Sequence, residues 1–236
     1  MTSEWIAIPP AANQPQDGLQ GYLALPPGGK GPGVVVLQEI FGVNGHIRSI
    51  ADRLAVAGFM ALAPDLFWRM APRFDVGYGL EDAQAAGKMR EGTSLEDGVA
   101  DIARSLDTLR THPASVGGRV GVMGFCWGGL LTFLAAARLK PDAAVEFYGR
   151  RTEEFIGEAK TIGCPMQFHF GGKDPIISSQ AIQTVREGVE GLPHTEFYVY
   201  PEVGHGFNCD ARSDFHPASA EPAWNRTLGF LKTHLS

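Results

Sequence analysis

The sequence predicts an α/β fold, a mostly parallel central sheet with helices on both faces. Three observations carry that expectation. Short apolar runs rich in β-branched residues recur along the chain, as buried parallel strands require. Apolar stripes at helical spacing stand between them. No internal repeat, low-complexity tract or linker breaks the alternation, so the 236 residues, 44% of them hydrophobic, read as one domain over 1–236.

Taken in order, residues 4–30 alternate loosely and are rich in Pro and Gly, which predicts edge strands and turns. Val34-Val35-Val36-Leu37-Gln38 reads as a central parallel strand. Ile47, Ile50, Leu54 and Ala57 follow at helical spacing, and Gly58 sits where that helix should stop. Phe59 to Ala63 is a second apolar run, closed by Pro64-Asp65. From Leu66 to Thr93 the chain is irregular. A loop that long is uncommon unless functional, so a covering segment with some helix of its own is expected. Leu95, Val99, Ile102, Leu106 and Leu109 form an amphipathic stripe. Arg119 to Gly124 reads as a buried strand, Leu130 to Leu139 as a helix, and Ala143 to Tyr148 and Met166 to Phe170 as strands. Ile182, Val185 and Val189 line a helix face, and Glu196 to Tyr200 alternates as the last strand. Trp224, Leu228, Leu231 and Leu235 give the stripe of a C-terminal helix, with Pro222 near its start.

Composition narrows the function. With 20 basic and 26 acidic side chains the net charge is −6, so a nucleic acid is not an expected partner. The three cysteines (Cys126, Cys164 and Cys209) form no C-x-x-C pair and cannot all pair within one chain, which favours a reducing compartment. Met1-Thr2-Ser3-Glu4-Trp5 has neither a basic nor an apolar leader region, so no secretory signal is expected. Val120 to Ala137 carries no charge, but its glycines and central turn read as strand, turn and helix rather than as a membrane span. The expectation is a cytoplasmic protein, monomeric or weakly homo-oligomeric, with no membrane partner and a small-molecule substrate.

The strongest local signal is Gly124-Phe125-Cys126-Trp127-Gly128-Gly129, between a buried strand and a helix. This is the Gly-x-nucleophile-x-Gly pattern of a nucleophile elbow, with cysteine where serine is usual. The helix N-terminus favours a thiolate, and the backbone N–H of Trp127 would face a developing oxyanion. Asp174 stands just past one predicted strand and His205 just past the next, giving the order nucleophile, acid, histidine. His205 would act as general base and acid, with Asp174 fixing its tautomer. Trp68, Trp127, Tyr148 and Phe207 are candidates to line a pocket, but core packing is the expected role for any one of them. His205 and Cys209 lack further ligands at metal spacing, and no phosphate loop or dinucleotide fingerprint occurs, so no metal and no cofactor is expected.

The elbow, the segment Leu37-Gln38-Glu39-Ile40-Phe41-Gly42-Val43-Asn44, the step Ala63-Pro64-Asp65-Leu66, Gly172-Lys173-Asp174 and Gly204-His205-Gly206-Phe207 together resemble the dienelactone hydrolase (carboxymethylenebutenolidase) family of α/β-hydrolases. The resemblance runs from about Val34 to the C-terminus. It implies a cysteine hydrolase of esters or lactones that works through a Cys-His-Asp triad and an acyl-enzyme. It makes Glu39 the carboxylate that helps deprotonate the thiol, and Ile40 the second oxyanion N–H donor beside Trp127. In that family two arginines hold the lactone's carboxylate; here the aligned positions are Ala83 and Cys209. Neutral esters or weak selectivity are therefore expected, unless Arg69, Arg73, Arg90 or Arg212 substitutes. Two other readings compete: a glutamine-amidotransferase-like cysteine enzyme, and an idle sensor or binding protein that kept the fold.

Overall fold

The structure is a computed structural model that describes residues 1–10 and 16–236; positions 11–15 of the Pro-rich N-terminal stretch lie outside the described residues. Among the described residues eight strands form a mixed, mostly parallel sheet, as the sequence predicts. Two compact units divide the chain, Met1–Gly121 and Val122–Ser236.

In the first unit β1 (Thr2–Ala7), β2 (Gln20–Leu25), β3 (Gly31–Leu37) and β4 (Met60–Pro64) run in the order β1-β2-β4-β3. The first two pairings are antiparallel, and β3 with β4 is parallel. Val34, Val35 and Val36 are fully buried, which is why this strand reads as continuously apolar. Helix α1 (Gly45–Val56) is capped by Asn44, whose Oδ1 accepts from Ile47 N–H at 3.2 Å, and it ends before Gly58 at φ +103°. The irregular segment does carry its own helix, α2 (Leu80–Glu91), which buries only Ala86 and Met89. Helix α3 (Leu95–Thr111) buries Val99, Ile102, Leu106 and Leu109 of the expected stripe, together with Asp101 and Ser105, which the apolar pattern does not reveal.

Strand β5 (Ser115–Phe125) crosses from the first unit into the second and is buried from Val120 onward. Helix α4 (Trp127–Arg138) starts earlier than its Leu130 stripe because the turn feeds it without a loop. Every residue from Trp127 to Ala137 is buried, so it has no polar face to read. Strands β6 (Ala143–Phe147), β7 (Met166–Gly171) and β8 (Thr195–Tyr200) pair in parallel. A 3-10 helix over Thr152–Thr161 has no counterpart in the sequence reading, since its segment shows no helical stripe. Helix α5 (Ser179–Gly188) buries Ile182 and Val185. Helix α6 (Pro217–Leu235) corrects one expectation: it begins at Pro217, and Pro222 lies inside it. Proline suits the first position because that N–H has no helical partner anyway.

Candidate active site

Strand β5 ends at Phe125 and α4 begins at Trp127, leaving Cys126 alone in the turn at φ +55°, ψ −113°. Such backbone strain costs about 1–3 kcal/mol and persists only where the surroundings fix it. Here they do. Cys126 N–H donates to Phe147 O at 3.0 Å, and its carbonyl accepts from Gly129 N–H at 3.0 Å and Arg150 N–H at 3.2 Å. The flanking glycines are sterically required: a Cβ on Gly124 would stand 2.2 Å from Gly128 O, and one on Gly129 would stand 2.7 Å from Gly149 Cα. Trp127 opens α4, so its backbone N–H belongs to the helix's first turn, where no intrahelical acceptor exists. Cys126 is partly exposed, whereas Cys164 and Cys209 are buried. Burial pushes the Cys164 thiol up to about 12, which keeps it inert.

Asp174 follows β7 in a turn that its own carboxylate holds: Oδ1 accepts from Ile176 N–H at 2.7 Å and Ile177 N–H at 3.0 Å. The other oxygen lies 2.7 Å from Nδ1 of His205, and both side chains are buried. This bond assigns the proton to Nδ1 and leaves Nε2 for the thiol. Nε2 is buried and forms no well-aligned hydrogen bond, yet the Cys126 sulfur acts on the ring both as a neighbouring charge and as a hydrogen-bond partner. A contact looser than an ordinary hydrogen bond fits both facts, and resting sites often tighten only with substrate. Burial opposes a charged ring here. The neighbouring Cys126 sulfur and the Asp174 bond outweigh it and push the His205 pKa up to about 10.

Tyr148, at φ +39°, places its ring 5.0 Å from that of His205, and Phe207 packs on Tyr148 at 5.6 Å and on Tyr200 at 4.9 Å. Tyr148 and Phe207 are fully buried, Tyr148 against the histidine and Phe207 behind it. A ring at position 207 fills core.

In the first unit, Glu39 follows β3 and is buried, and Tyr78 O–H donates to its Oε2 at 3.2 Å. Asn44 Nδ2 donates in turn to the Tyr78 oxygen at 3.1 Å. Tyr78 carries no motif; its only sequence signal is its place in the long irregular segment. Ile40 is half-buried in the turn after β3. The Pro64-Asp65 step is structural, because Asp65 accepts from Phe67 N–H at 3.0 Å and Arg73 N–H at 2.6 Å. Gln38 Oε1 ties that step to β3 by accepting from Leu66 N–H at 3.2 Å.

The candidate carboxylate-binding arginines have different fates. Arg69 is engaged by buried Asp101, donating from both terminal nitrogens at 2.6 and 3.1 Å, while Trp68 Nε1 donates to the same carboxylate at 3.0 Å. Arg73 donates to Gln20 Oε1 at 3.0 and 2.7 Å and lies over the Trp5 ring at 4.5 Å. Arg69, Arg73 and Trp68 are thus each engaged by partners within the fold. Arg90 is half-buried in the last turn of α2. Arg212 is the one that folds back toward the histidine: a Cβ on Gly206 would stand 2.8 Å from its Cζ, so the guanidinium lies directly on the residue after His205. It also meets Asp214 at 3.5 Å. Among the described residues no group of three or more His, Cys, Asp or Glu could hold a metal ion, and no helix is long and apolar enough to cross a membrane.

Residues 19–235 match the model of the dienelactone hydrolase family. A carboxymethylenebutenolidase of Pseudomonas sp. strain P51 is 36% identical over 213 residues, 89% of this chain and 88% of that protein. The carboxymethylenebutenolidase of Pseudomonas putida is 34% identical, with 85% of each chain covered. A crystal structure of a Klebsiella pneumoniae protein attributed to the dienelactone hydrolases superposes with a TM-score of 0.86 at 30% identity, covering 98% of both chains.

Proposed function

The chain belongs to the dienelactone hydrolase family, a family of ester and lactone hydrolases, and from that premise we propose that it works through a covalent acyl-cysteine on Cys126. The observation that carries this reading is the partly exposed, strained Cys126 beside a histidine whose other nitrogen is fixed by Asp174 at 2.7 Å. The sulfur attacks the carbonyl carbon, and the resulting oxyanion is held by the Trp127 N–H and, by family resemblance, that of Ile40. The C–O bond to the leaving oxygen breaks as the His205 imidazolium gives that oxygen its proton. His205 Nε2 then takes a proton from water, the hydroxide attacks the thioester, and the C–S bond breaks to release the acid and the thiolate. The resemblance adds Glu39 as the carboxylate that assists thiol ionisation; its support in the fold is the Tyr78 hydroxyl that keeps it in place. The chain then functions as one α/β-hydrolase domain.

Arg212 extends the reading to substrate class. A guanidinium lying on Gly206 suits a lactone or ester that carries a carboxylate. The test is kcat/KM for a dienelactone free acid against its methyl ester, with p-nitrophenyl acetate as a neutral control. Hydrolysis of all three is expected, with the free acid favoured by ~10–150-fold, the worth of a charge-assisted hydrogen bond. No ester turnover overturns the hydrolase reading; equal rates for acid and methyl ester overturn the role of Arg212 alone.

A further inference from the structure

The turn after β6 braces the elbow. Phe147 O accepts from Cys126 N–H, Arg150 N–H donates to Cys126 O, and the Tyr148 ring lies against His205. The turn is itself strained, with Tyr148 at φ +39° and Arg151 at φ +74°. Something must hold it. We propose that Glu146 is a positioning residue whose buried carboxyl locks this turn, and through it the backbone of Cys126 and the ring of His205. This rests on the reading of Cys126 as the nucleophile.

Glu146 is fully buried at the penultimate position of β6. Its Oε1 accepts from Thr152 Oγ1 at 2.9 Å, and the Gly149 N–H also bonds to the carboxyl, so the side chain closes the turn on itself. The fit is tight: a Cβ on Gly149 would stand 2.1 Å from Glu146 Oε1 and 2.6 Å from Thr152 Oγ1. Glu146 Oε2 is buried without a hydrogen-bond partner among the described residues. Among the described residues no cation acts on it. The charged neighbour that acts on it is Glu153 of the 3-10 helix, which repels it. The neighbouring β7 residue in register is Phe168, and α4 is uncharged from Trp127 to Ala137. On α6, the Arg226 guanidinium donates to the Tyr200 hydroxyl oxygen. Burial therefore dominates and raises the pKa to about 8, so the carboxyl is neutral at neutral pH and ionises above it. Ionisation places an unpaired charge under the brace and loosens it.

The experiment compares wild type, E146Q, E146L and Thr152→Val. It measures kcat and KM for p-nitrophenyl acetate, and the rate at which iodoacetamide alkylates Cys126, from about pH 6 to about pH 9.5. E146Q, which keeps the acceptor oxygen and never ionises, is expected within about threefold of wild type at pH 7, and to hold its activity above pH 8 where wild type falls. E146L is expected to lower kcat ~10–100-fold at little-changed KM, as a small misplacement of reacting groups does, and to slow alkylation. Thr152→Val, which keeps the shape and loses the donor, is expected to move the same way and serves if E146L does not fold. Wild-type kcat in E146L or Thr152→Val, or superimposable alkaline profiles for E146Q and wild type, overturns the proposal. Activity surviving in Cys126→Ala overturns the nucleophile reading with it, whereas an inactive Cys126→Ala beside unaffected Glu146 variants overturns this inference alone.

Discussion

Two regions use the same hydrogen-bond chemistry to different ends. In the second unit, the loops after β7 and β8 join Asp174 to His205; in the first, the segment from Leu66 to Arg73 joins Arg69 to Asp101. Both pairs are charged, short and set around a buried carboxylate. They differ in what is left over. Asp101 is surrounded by Trp68 and Arg69 donors that serve the fold. His205 uses one nitrogen for Asp174 and keeps the other facing a thiol on a strained elbow. A reactive atom left beside a fully satisfied orienting bond separates a site from a scaffold, and residue type alone does not.

That contrast can be broken from either side. Asp174→Asn should cost most, ~10³–10⁴ in kcat, because the amide cannot hold the imidazole in the required tautomer; steady-state rates across a few esters will show it. A loss below tenfold would make this pair scaffold like the other. Glu39→Gln should lower kcat by about 10² with the fold intact by circular dichroism, the scale of losing an assisting base. An unchanged rate would mean that the Cys–His pair ionises unaided. Arg212→Ala should remove ~10–150-fold of kcat/KM for a carboxylated lactone and leave its methyl ester little affected. Arg69→Ala should leave that discrimination intact and cost about 1–3 kcal/mol of stability in urea unfolding, because Asp101 loses its charged donor inside the fold. If Arg69→Ala instead abolishes the carboxylate preference, the assignment of the two arginines is reversed.

Much of the placement of Cys126, Asp174 and His205 was legible in the sequence because the backbone demands it. The Gly124 and Gly129 positions admit no side chain, and strand-then-loop placement gives Asp174 and His205 their order, so local pattern and geometry coincide there. Specificity was not legible. Arg69, Arg73 and Arg212 are long side chains whose destinations depend on partners distant in sequence, and only packing reveals that Asp101 and Gln20 take the first two. Tyr78 and Glu146 were missed for a related reason. One supports Glu39 from an irregular segment, and the other is a carboxyl hidden in an otherwise apolar strand, where hydrophobic periodicity says nothing of it. The start of α6 escaped because its first turn carries no apolar stripe ahead of Trp224.

The central claim is that the Cys126 thiol performs the covalent step, and stoichiometric alkylation tests it most directly. Iodoacetamide should inactivate the enzyme in proportion to one label per chain, and peptide mass mapping should place that label on Cys126, with buried Cys164 and Cys209 unmodified. A protein that keeps its esterase activity with Cys126 fully alkylated, or that loses activity in step with a label elsewhere, would contradict the claim.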